Sequence, residues 1–84
     1  MHDSFLMQNI SKSLNTICMD NGIKKVTLIE ISVNSNSHIN EENLLEHLMD
    51  MSSGFVDKYT KVKVVFEDIP QLTAAIKKIE GDKR

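Results

Sequence analysis

The hydrophobic period of the chain changes at Asn21-Gly22, and that change limits the class of fold the chain can adopt. Before it, Leu6, Ile10, Leu14, Ile17 and Cys18 follow at steps of four, four, three and one, the apolar stripe of an amphipathic helix over residues 4–21. Asn21 and Gly22 both tolerate the left-handed conformation that closes a helix. After them, Thr27, Ile29, Ile31 and Val33 alternate with Val26, Leu28, Glu30 and Ser32. A period of two among β-branched residues predicts a strand over 26–33 with one face buried.

The same reasoning carries through the rest of the chain. Asn34-Ser35-Asn36-Ser37 is a polar loop, because these side chains compete for local backbone hydrogen bonds. Asn40 is a plausible N-cap for a second helix, whose first turn holds Glu41 and Glu42 at the positive end of the dipole. Leu44, Leu45, Leu48, Met49 and Met51 form its apolar side, and Gly54 is expected to end it. Val62, Val64 and Phe66 then alternate with Lys61, Lys63 and Glu67 as a second strand. Beyond Pro70, Leu72, Ala75, Ile76 and Ile79 fit helical spacing slightly better than a strand, and both remain open. The expectation is one α+β domain over residues 1–84, with two helices packed on one face of a two- to three-stranded sheet.

Composition narrows the functional classes. With 84 residues the chain supports one modest core, burying roughly 60% of the surface its unfolded form exposes. Ten Lys and Arg are scattered among twelve Asp and Glu, so no basic stripe is present to track a nucleic-acid backbone. No apolar run reaches the ~20 residues of a membrane span, and no basic leader precedes a cleavable apolar stretch. These features give the cytoplasm as the expected location. Cys18 is the single cysteine, which excludes an intramolecular disulfide and every Cys-x-x-Cys zinc or redox arrangement. Three scattered glycines make no phosphate loop, and no Ser/His/Asp set or motif-placed carboxylate pair points to an enzyme.

Several stretches carry a more specific signal. The chain opens Met1-His2-Asp3 and runs directly into Ser4-Phe5-Leu6-Met7-Gln8-Asn9-Ile10. It continues with Lys25-Val26-Thr27-Leu28-Ile29-Glu30-Ile31, the acidic start of the second helix, and Val64-Val65-Phe66-Glu67-Asp68-Ile69-Pro70. In order and spacing these stretches resemble the HypA/HybF family of hydrogenase and urease nickel-incorporation proteins. The family carries a zinc domain with two Cys-x-x-Cys pairs after the strand that ends at the equivalent of Pro70. Here that insert is missing, and residues 71–84 resemble the segment that follows it. Asp3 stands where the family has Glu, and Ser4-Phe5 reverses its usual order of a bulky residue followed by Ser.

The resemblance implies a nickel-binding domain whose metal site is Met1, His2 and Asp3, with nickel(II) as cargo and no structural zinc. It also implies a maturation GTPase and the large subunit of a nickel enzyme as partners; neither nucleic acid nor membrane is expected, and a homodimer is left open. The chemistry of these residues suits that role. The Met1 amine and the His2 backbone nitrogen close a five-membered chelate, the imidazole closes a second ring, and a group from Asp3 completes a square. Such a site needs a free amine, whose pKa of ~7.7–8.0 makes metal compete with protons near neutrality. A histidine in second position is too bulky for ordinary methionine removal, so Met1 is expected to persist.

Each candidate also has an ordinary reading. His2 could be a terminal residue with no ligand, and Asp3 could be the N-cap of the first helix. His38 in the polar loop and His47 on the second helix lack the i, i+4 spacing of a helical metal pair. Cys18 reads as a buried small hydrophobe. Met7, Met49 and Met51 could fill gaps in the core or form an adaptable docking face. Glu41, Glu42 and Glu46 read as a solvated acidic side. The functional expectation is a non-enzymatic nickel metallochaperone; the alternative is a metal-independent interaction module of the same fold.

Overall fold

The computed structural model describes residues 4–71 and 73–83 of the chain. Helix α1 spans Ser4–Asn21, strand β1 Ile23–Asn34, helix α2 Glu41–Met51, strand β2 Lys61–Glu67 and strand β3 Ala74–Lys83. The strands form one mixed sheet in the order β2-β1-β3, with β1 parallel to β2 and antiparallel to β3. Helix α1 packs on β3 and on α2, and α2 packs on β2. This is the expected α+β arrangement of two helices against a small sheet.

Local chemistry explains the boundaries. Gly22 has φ +67°, the left-handed conformation that stops α1 and turns the chain into β1. Asn40 caps α2, its side-chain oxygen accepting from the Asn43 N–H at 2.8 Å. The end of α2 differs from expectation. The helix stops at Met51, where the Ser52 N–H donates to the Leu48 carbonyl at 2.7 Å. The Phe55 and Val56 N–H groups then bond the Ser52 carbonyl, so Gly54 belongs to the following turn. Within the helix Leu44 and Leu48 carry the buried face, while Met49 and Met51 are 37% and 47% exposed.

The segment after Pro70 is a strand, against the slight periodic preference for a helix. Ile76 and Ile79 pair with Ile31 and Ile29 on the helix-covered face although they are three apart. The register slips between Glu30 and Ile31, which leaves Lys77 as an extra residue in β3 and turns both isoleucines to one side. A bulge therefore produced the spacing of a helix.

A second bulge interrupts the strict two-residue alternation expected of β1. Between Val26 and Leu28 the register against β3 slips by one residue, so Thr27 is exposed and Val26 is buried. The Thr27 hydroxyl donates to the Glu80 carbonyl at 3.1 Å. Val26 lies ahead of the first β2 partner, and its backbone is completed from the α2–β2 connection: its N–H donates to Phe55 O and its carbonyl accepts from the Thr60 hydroxyl, at 2.8 and 2.7 Å. The core that results joins Leu6, Ile10, Leu14 and Cys18 of α1, Leu44 and Leu48 of α2, and Val26, Ile29, Ile31 and Val33 of β1.

Candidate functional site

The sequence places the candidate metal site at Met1, His2 and Asp3, which lie outside the described residues, as does the capping role considered for Asp3. What the structure supplies is the support immediately behind them. Helix α1 begins at Ser4. Two of its first seven residues, Leu6 and Ile10, are 4% and 3% exposed and anchor the helix in the core, whereas Phe5 points outward at 65% exposure. Ala74 and Ile76 of β3 line a shallow groove with Leu6, Ile10 and Ile17. Since Ala74 pairs with Val33, the first turns of α1 stand at the same end of the sheet as the last residues of β1.

The other candidate donors are dispersed. Among the described residues, no three His, Cys, Asp or Glu side chains come together as a metal-binding group. Cys18 is fully buried and free of a disulfide, and burial pushes its thiol pKa up, which suits a core residue. His47 is half-buried on α2, with its Nε2 enclosed and without a hydrogen bond among the described residues. His38 is exposed in the loop before α2. Met7 packs against the core, while Met49 and Met51 do not. The three methionines therefore do not form one buried cluster.

Two electrostatic contacts escaped the sequence reading because their partners are far apart in the chain. Glu41 is more than a solvated acid at a helix start: its Oε2 accepts the Val64 N–H of β2 at 2.9 Å. It thus satisfies a backbone donor on the outer edge of the sheet. Lys25 Nζ and Asp57 Oδ2 form an ion pair at 2.6 Å, joining β1 to the loop ahead of β2. The Lys25 hydrogen bond, with those from the Tyr59 and Thr60 region of the loop, holds the Asp57 carboxyl below its usual range, and the Asp57 contact raises Lys25.

The sign of the resulting pH dependence follows from Asp57. Its folded pKa is depressed, so the stability it contributes is present above the ordinary carboxylate pKa of 3.8 and is lost as pH falls through the lower folded value. An Asp57→Asn variant is therefore expected to lose less stability than the parent between pH 5 and pH 2. Thermal melts across that range check this, and parallel acid limbs in the two proteins would contradict it.

Compared with protein-family models, characterised proteins and solved structures, the chain gives no match. Among the described residues no helix is long and apolar enough to cross a membrane.

Proposed function

We propose that this chain is a nickel metallochaperone, binding one nickel(II) ion through Met1, His2 and Asp3 and delivering it to a nickel enzyme during hydrogenase or urease maturation. The observation that supports the reading is the position of α1, which starts at Ser4 directly behind the candidate chelate and is fixed to the core within its first two turns. A short segment tied to such a helix can offer its amine, amide and imidazole nitrogens to one ion while staying accessible to a receiving protein. Nitrogen donors of this kind suit the square geometry that nickel(II) and copper(II) favour. The protein transports the metal in this reading and performs no reaction on it.

Titration of nickel into protein with its native N-terminus should give one-to-one binding by absorbance and heat. Binding should disappear in His2→Ala and in a form extended by a few residues ahead of Met1. Equal binding in the extended form would place the metal elsewhere, and no binding in any form would remove the chaperone reading. The second reading, a metal-independent docking module, draws on exposed Phe5 and Phe66, at 65% and 49%. It is favoured if purified maturation GTPase binds the parent and His2→Ala equally well without nickel.

A further inference from the structure

The two edges of the sheet are finished differently. On β2, the Glu41 carboxylate from α2 occupies the Val64 N–H, so a foreign strand would have to displace a charge-assisted hydrogen bond. On β3 no such cover is present among the described residues, and the strand runs ten residues along the opposite edge. The Glu80 carbonyl faces β1, where it accepts the Thr27 hydroxyl. By strand alternation the N–H and C=O of Ile79 and Gly81 point away from β1, toward solvent.

We propose that β3 is a self-association edge: two copies of the chain pair through β3, antiparallel and two-fold symmetric about Ile79, to make one six-stranded sheet. In this register Ile79 of one copy exchanges backbone hydrogen bonds with Ile79 of the other, using the outward-facing groups. Lys78 then lies opposite Glu80, and Glu80 opposite Lys78, at non-hydrogen-bonded positions where cross-strand side chains come closest. Both side chains are about half exposed, at 54% and 52%, and already meet within one strand at 2.9 Å.

Charge complementarity selects both the partner and the register. On the open face of the sheet, Lys63, Glu30 and Lys78 form one row across β2, β1 and β3. In the proposed pair the next residue along that row is Glu80 of the second copy, so the alternation of sign continues through the seam. Centring the pair on Glu80 would set Glu80 against Glu80, and centring it on Lys78 would set lysine against lysine. Lysines and bulges often protect an edge strand from unwanted pairing. In this register Lys78 is matched by Glu80 of the antiparallel copy, while Lys77 and Lys83 fall opposite Gly81 and Ala75, so the two Lys78–Glu80 pairs of the seam favour a second copy over a strand without that alternation. On the opposite face, Ile17 and Ile79 of each copy border the groove between α1 and β3, and the two grooves meet at the axis.

The inference does not depend on the nickel reading, and it is tested with metal-free full-length chain. Sedimentation equilibrium over a concentration series should show reversible conversion from one chain mass to two. Lys78→Glu and Glu80→Lys should each weaken the dimer about tenfold or more, because both seam pairs become like-charged. An equimolar mixture of the two single variants should restore it, as should the double exchange Lys78→Glu with Glu80→Lys. Circular dichroism of each variant separates loss of pairing from loss of folding. A single-chain mass at every concentration overturns the proposal, as does a dimer unaffected by the single variants or a mixture that fails to recover.

Discussion

Leu14→Ala is expected to destabilise the domain by about 2–5 kcal/mol, lowering its urea midpoint by about 1 M or more at unchanged slope. Leu14 is fully buried in the middle of α1, within the cluster that joins both helices to the central strand. Truncation removes the transfer free energy of its side chain and leaves a cavity that β1 cannot close, because β1 is bonded on both sides. A domain of 84 residues has a total stability of roughly 4–13 kcal/mol, so this one change removes a large share of it. Ile17→Ala is the matched comparison, since Ile17 lies on the same stripe but is only half-buried beside the α1–β3 groove. Its cost should be less than half as large. Equal costs at the two positions would contradict the placement of α1.

The contrast between Leu14 and Ile17 also shows what periodicity can convey. Spacing identified the helix and its approximate buried face because a helix repeats the same geometry at every residue. It could not rank Leu14 above Ile17, since that depends on how far β3 extends beneath the helix. The first strand was legible for the same reason, apart from Val26 and Thr27. There the period is interrupted by an extra residue whose position is decided by pairing with β3, about fifty residues away in sequence. In β3 itself a bulge at Lys77 created the three-residue spacing that favoured a helix.

For the candidate site, the sequence offered the type and order of the chelating groups at Met1, His2 and Asp3, which need almost no tertiary structure to act together. It did not reveal Glu41 on the β2 edge or Asp57 beside Lys25, because each contact joins segments separated by more than twenty residues. Those contacts bear on the sheet edge and the α2–β2 connection rather than on the candidate donors. Glu41 closes one edge of the sheet to pairing, and the exposed edge of β3 is left for association.

Gly81→Ala is expected to cost about 1–3 kcal/mol, the effect of forcing extra volume against a backbone that cannot retreat. A Cβ at Gly81 would overlap the Lys25 carbonyl oxygen and approach the Ile23 Cγ2 to 3.0 Å. The neighbour is the backbone of the central strand, and register shifts on both sides of Lys25 bring β1 against β3 at this point. Gly54 is the control: a Cβ there meets nothing within 4 Å and its φ is not positive. Gly54→Ala should therefore be neutral or stabilising by about 0.4–1 kcal/mol through its effect on the unfolded chain. Urea unfolding of both variants decides between the two conformations open to residues 71–84 on sequence alone. A glycine just beyond a helix would tolerate alanine with a small penalty, whereas a glycine packed on a strand backbone would not. Equal stability of Gly81→Ala and the parent protein would mean that β3 does not approach β1 as closely as the packing requires.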